Sequence, residues 1–179
     1  SELLVSLMSG GNMPIDMLFL ASAQALEAMS RDGVNEKEVS DDQLGEKLDT
    51  IRHSDLPRKI REWAVVKLKY SNYKSADRLA NDLFKMIEPV ATYLVSDLSR
   101  FKEDHREQRN AFTHRREIEA GKELSRDQLY WHTQAVQLLV YGCTAVKLGL
   151  SPDSVLALLK ETQFRSDAIH HARKLYSKQ

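Results

Sequence analysis

At 179 residues, 42% of them hydrophobic and 29% charged, the chain is long enough for a real core and too apolar to stay disordered. Its 26 basic and 26 acidic residues cancel, which argues against a nucleic-acid coat protein relying on a broad positive field but leaves room for a local basic cleft. The single cysteine, Cys143, cannot form an intrachain disulfide, no apolar run approaches the ~20 residues of a membrane span, and no signal peptide is visible. A reducing, cytoplasmic setting without membrane attachment is therefore expected. The start at Ser1 fits a processed N-terminus or a domain cut from a longer protein.

With seven glycines, four prolines, no alternating strand pattern and apolar residues recurring at three and four, the chain reads as all-helical. "SELLVSLMS" predicts a short helix ended by "GGN". "MPIDMLFLASAQALEAMSR" predicts a strong helix with Pro14 near its start. Leu18, Ala21, Ala25 and Met29 make one stripe there, and Phe19, Leu20 and Leu26 widen it, so the helix should be mostly buried, with Gly33 as a stop signal. "NEKEVSDDQLGEKLD" holds six acids and two lysines, and Leu44, Leu48 and Ile51 give its region a narrow apolar face. "SDLPRKIREWAVVKLKY" begins with Ser54 or Asp55 as a cap and Pro57 in the first turn, and Ile60, Trp63, Ala64, Lys67 and Leu68 mark its face. Ser75 can cap "ADRLANDLFKMIE", where Leu79, Leu83 and Ile87 fall four apart, and Glu88-Pro89 should break or kink the chain.

The next helix is expected from about Ser96 to Arg116, with Leu98, Phe101, His105, Gln108 or Arg109, and Phe112 toward the core. That is a poor apolar stripe for its length, with polar groups where a plain core helix carries leucines. "EIEAGKEL" reads as a loop. "SRDQLYWHTQAVQLLVYGCTAVKLG" opens with a capping box, Ser125 to Gln128, and closes on Gly149. "SPDSVLALLKE" is a short helix with Pro152 at its first position, and "SDAIHHARKLYSKQ" reads as a basic amphipathic tail over 164–179. No repeat, low-complexity segment or linker appears, so one domain is expected.

The chemistry concentrates at "QRNAFTHRR", residues 108–116. At ~100° per residue, Asn110 and His114 lie ~40° apart on one helix face, while Arg109 lies ~140° from His114 but can swing its long side chain toward it. At a phosphodiester, histidine can move protons at neutral pH, arginine can hold a phosphate oxygen with two charge-assisted contacts, and asparagine can orient the histidine or the substrate. From Arg100 to Arg116 there are six basic residues against three acids, besides His105 and His114. The plainer reading of the same residues is a solvated helix end, with Arg109 paired to a glutamate and His114 satisfying the helix C-terminus. Spacing alone favours that plainer reading. Elsewhere, His170 and His171 are adjacent and diverge on a helix, so no metal site is expected there. Cys143 sits in an apolar helix, where a structural thiol is expected, and no H-E-x-x-H, P-loop or Gly-rich dinucleotide motif is present.

"RNAFTH" matches the R-N-x-x-x-H signature of the HEPN superfamily, and the chain resembles its ApeA-like branch. The resemblance rests on "FLASAQALEAMSR" at 19–31, on the "DLP" turn at Asp55-Leu56-Pro57 ahead of the third helix, and on a Leu-rich helix after the motif that ends "KLGL". It covers roughly residues 15–163. It implies an all-α, HEPN-type bundle of about six to seven helices that dimerises, with two motifs facing a shared cleft. It also implies a metal-independent endoribonuclease without a cofactor, with RNA as its partner and tRNA one candidate, acting in bacterial anti-phage defence, abortive infection or as a toxin. Carried onto this chain, Arg109 becomes the phosphate ligand, Asn110 the polar orienter and His114 the general acid or base. Arg106, Arg115 and Arg116 are weaker RNA-binding candidates. Glu27, within an apolar stretch, is either an ordinary exposed residue or the structural partner of an arginine such as Arg109. The resemblance further implies a position at the C-terminus of a longer chain, after a sensing region that answers a phage trigger. The alternative from another class is a non-catalytic HEPN module that binds a protein partner or a nucleotide.

Overall fold

The computed structural model describes residues 13–32, 37–69, 71–114, 118, 121–161 and 166–177. The expected helix at "SELLVSLMS" and the stop at Gly33 lie outside these. The described residues form nine helices in chain order: α1 Ile15–Arg31, α2 Asp41–Arg52, α3 Arg58–Lys69, α4 Ala76–Met86, α5 Glu88–Leu94, α6 Leu98–His114, α7 Arg126–Lys147, α8 Pro152–Glu161 and α9 Ser166–Leu175. The all-α class is as read from the sequence, and several of the helices beyond the expected six or seven are short. No helix among the described residues is long and apolar enough to cross a membrane.

The chain divides into two compact units, one of Ser1–Ser30 with Ala80–Gln179 and the other of Arg31–Leu79. In the larger unit α7 is the central element. Eleven of its 22 residues are buried, among them Leu129, His132, Val136, Leu139 and Cys143 on one stripe. Ser125 caps it by accepting from the Gln128 amide, and the Gln128 side chain accepts from the Ser125 amide, closing the expected capping box. At its other end Gly149 has φ +101°, and the Gly149 and Leu150 amides return to Val146 and Ala145, the bonding of a Schellman cap that needs a residue without a Cβ. α9 packs along α7, and α5 lies against α7, α8 and α9. Gly142 permits the close approach of α5, because a Cβ there would stand 3.1 Å from a Val90 methyl.

Glu88-Pro89 ends α4 and starts α5, where the proline sits in the first turn and costs no helix hydrogen bond. Leu79, Leu83 and Ile87 are all buried, as their spacing predicts. The C-terminal segment is more than a basic tail. Ala168, Ile169, Ala172 and Tyr176 are buried in the main core, and the Tyr176 carbonyl accepts from the Asp97 amide and the Ser96 hydroxyl. The apolar positions of α9 thus finish the core, while its basic residues face outward.

In the smaller unit α2 and α3 pack together. Ser40 and Gln43 form a capping box on α2 that the sequence reading did not single out. Asn72 ties residues 71–73 to 37–39, donating to the Val39 carbonyl and accepting from its amide. Two expectations fail here. Neither Ser54 nor Asp55 caps α3: the helix begins at Arg58 with Pro57 at the cap position, and the Ser54 hydroxyl donates to the Ile51 carbonyl at the end of α2. The expected inward face of α3 is largely exposed, with Trp63 at 63%, because a unit of two helices offers each only a narrow surface to bury.

Candidate active site

The motif occupies the last two turns of α6. This helix is fixed by its buried residues Phe101 and Gln108, and by Phe112, whose ring lies 5.7 Å from that of Phe19 in α1. Gln108 donates to the Lys122 carbonyl in the segment before α7. These residues fall on one stripe of α6, so Arg109 emerges at the edge of the packed face and Asn110 and His114 turn away from it.

Arg109 spans two helices. Its Nη2 donates to Glu27 Oε2 of α1 at 2.9 Å, and its Nη1 donates to Asn110 Oδ1 at 3.4 Å. Both members of the ion pair are about one-third exposed, 36% for Arg109 and 32% for Glu27. Glu27, Arg109 and Asn110 are thus brought together. His114, the final residue of α6, is exposed, and no hydrogen bond joins it to Arg109 or Asn110 among the described residues. Arg106 is exposed, with Nη2 3.6 Å from Glu107 Oε1 of its own helix. Arg115 and Arg116 lie outside the described residues. A cleft of about 730 Å³ flanks this end of α6, lined by Gln108 and Phe112 but by none of Arg109, Asn110 and His114.

One turn before Arg109 begins a partly buried polar chain, with His132 and Tyr176 fully buried, that the sequence reading did not find. His105 Nδ1 lies 3.2 Å from His132 Nε2, His132 Nδ1 lies 2.5 Å from the Tyr176 hydroxyl, and that hydroxyl donates to Asp104 Oδ2 at 3.2 Å. The order of protons follows. Tyr176 has one proton and gives it to Asp104, so His132 donates from Nδ1. Its Nε2 then accepts from His105 Nδ1–H, which leaves His105 Nε2 unprotonated. Burial, reinforced by the charge of Arg109 and opposed by Glu27, pushes the His105 pKa down to about 4. Burial, with the His105 charge second, also holds His132 well below the ordinary histidine range. Both rings are therefore neutral at pH 7, packed with Phe19 and Phe101. Burial raises the Asp104 carboxyl, against the bond from Tyr176 and the charge of Arg100. A signal for His132 existed in its place on the buried stripe of α7. Tyr176 gave none, because its segment read as a tail.

Cys143 is buried and its thiol is pushed up to about 12, mainly by desolvation, which suits a structural group. The His171 ring stacks on Trp131 at 3.9 Å, nearly perpendicular to that of His170. Among the described residues, no three His, Cys, Asp or Glu side chains are grouped to hold a metal ion.

A family model described as Apea-like HEPN matches residues 20–154, three-quarters of the chain. The chain belongs to the Apea-like HEPN family. The match begins within α1 of this HEPN domain and ends in α8, so Glu27 and the whole R-N-x-x-x-H segment fall inside it. Comparisons with curated proteins and with solved structures give no match.

Proposed function

We propose that this HEPN domain is a metal-independent endoribonuclease that acts as a homodimer in bacterial anti-phage defence or toxin action, with tRNA among its candidate substrates. The observation that carries the reading is the preparation of Arg109. A carboxylate from another helix fixes its guanidinium beside Asn110, one helical turn from an exposed histidine. Membership of the Apea-like HEPN family supports this reaction class.

The chemistry needs few groups. The RNA 2′-hydroxyl attacks the adjacent phosphorus as an internal nucleophile. A general base removes its proton, an arginine stabilises charge on the non-bridging oxygens, and a general acid protonates the departing 5′-oxygen. The P–O5′ bond breaks as the O2′–P bond forms, leaving a 2′,3′-cyclic phosphate and a 5′-hydroxyl. One His114 can serve one proton transfer at a time. A two-fold axis beside α6 supplies His114 of the partner subunit for the other, and doubles the local positive charge in a chain of zero net charge.

A second reading has its own support. The Glu27–Arg109 pair is also what a purely structural arginine would form, as expected of a non-catalytic module that binds a protein or nucleotide. The two readings separate on incubating the purified domain with tRNA and bulk RNA in EDTA and analysing product ends. Cleavage that survives chelation and leaves 2′,3′-cyclic phosphate ends is expected. Cleavage lost in EDTA and restored by magnesium or manganese would contradict metal independence, and no cleavage of any RNA would favour the binding module.

A further inference from the structure

The proposed reaction uses the last turns of α6. Another group of cations lies near the start of that helix and has no part in it. α5, α8 and α9 enclose an open groove of about 940 Å³. Its lining is apolar at Pro89, Leu159 and Ile169. It carries Lys160 from α8 and His170, Arg173 and Lys174 from α9, against the single carboxylate of Glu88. A chain with equal numbers of acids and bases therefore concentrates one sign of charge here.

Tyr93 of α5 gathers two of these charges. Lys160 Nζ stands 5.3 Å from its ring centroid and the Arg173 guanidinium carbon 4.6 Å. Each such contact is weak at an exposed site, and two cations on one ring also repel each other. Neither these two nor Lys174 forms an ion pair with a carboxylate of the described residues. An anion between them turns the repulsion into two attractions. The arginine fork suits a phosphate's paired oxygens, the lysines add point charges, and Thr92 adds a hydroxyl to the same lining. With cations over Tyr93, the ring is not an open stacking platform for a base, so charge must dominate recognition. The apolar lining can take the less polar part of the ligand.

We propose that this groove binds a ligand carrying two or more phosphate groups, either consecutive phosphates of a nucleic-acid strand or those of a nucleoside polyphosphate. The two sources share one chemistry and differ in reach. α6 is 17 residues long, about 25 Å at 1.5 Å per residue, with this groove near its first turn and the R-N-x-x-x-H segment in its last two. A strand of several nucleotides spans that length, whereas a nucleotide fills the groove alone. The proposal does not depend on cleavage by the motif.

The test measures binding to the whole chain, in a His114→Ala background that keeps an RNA probe intact. The probes are a fluorescent oligoribonucleotide of roughly a dozen nucleotides, a length within the range of single-strand sites, and ATP, each at several salt concentrations. Arg173→Glu and Lys160→Glu should each weaken binding about tenfold, and neutral Arg173→Gln should lower the salt slope for the oligonucleotide by about 1. The Gln variants serve as the readout if a charge reversal disturbs the fold. Loss confined to the oligonucleotide assigns a strand, and loss of ATP binding with competition between the probes assigns a nucleotide. Wild-type affinity for both probes in all the variants, or no binding of either by the unsubstituted groove, would overturn the proposal. Failure of RNA cleavage by the wild-type chain would leave these outcomes unchanged, so the two readings fail separately.

Discussion

Arg109 carries the residue-scale account because one guanidinium answers to two helices. A surface arginine on a helix end samples many rotamers and loses that freedom when it takes hold of a phosphate. Here Glu27 has already fixed it, and the second nitrogen reaches Asn110. With both partners about one-third exposed, the pair contributes at most about 1 kcal/mol to stability. In the proposed reaction its role is orientation. Glu27→Gln should therefore slow RNA cleavage on the order of tenfold while the thermal midpoint falls by no more than about 4 °C, a shift of the size expected for that energy in a chain this long. Calorimetry alongside initial rates checks both. Unchanged rates would make the carboxylate a bystander. In the sequence Glu27 stands out only through the family resemblance, since helical periodicity alone places it on a polar side. Its contact with Arg109 lies 82 residues away and depends on how α1 packs on α6.

Between elements, the chain His105–His132–Tyr176–Asp104 joins α6 to α7 and to the end of α9. It predicts a pH dependence whose sign follows from the lowered histidines. The unfolded chain takes up protons near the ordinary value of 6.5, while folded His105 resists until about 4. Its contribution is thus fully present above pH 6.5 and is lost as pH falls from there toward 4. Between pH 7 and 4.5 the loss should reach about 2 kcal/mol, allowing for partial screening. The raised Asp104 carboxyl opposes it at the acid end of the window, while Arg109 and Glu27 face His105 with opposite signs. Urea titrations across this range should show the slope in the wild type and a flatter one in His105→Gln. Equal slopes would remove His105 as the cause. Much of the element order is legible in the sequence because proline, glycine and capping residues act locally: Ser125 with Gln128, Gly149 and Glu88-Pro89 all sit where they were read. The polar chain is not legible, because its partners meet only after α9 docks. The exposed face of α3 fails for the same reason, since periodicity marks an apolar side without saying what covers it.

At the scale of the whole molecule, the order of helices and the family match agree on an all-α HEPN domain, whereas activity and assembly are proposals resting on the motif. A lone triplet with an exposed histidine is thin for two proton transfers. The expected assembly is a homodimer whose interface buries more than about 1,000 Å² and sets Arg109, Asn110 and His114 of both copies at one groove. Light scattering at tens of micromolar should report a dimer, and a persistent monomer would contradict the shared-cleft arrangement. The sequence supplies the triplet by spacing and resemblance. It cannot supply the proposed shared cleft, which would need a second chain. The most direct measurement is RNA cleavage by His114→Ala compared with wild type, with helical circular dichroism recorded on the same samples. An exposed residue at a helix end can be truncated with little cost to the fold, so a fall in rate of ~10²–10⁴ with an unchanged spectrum is the expected result. Full activity in folded His114→Ala would contradict the enzyme reading.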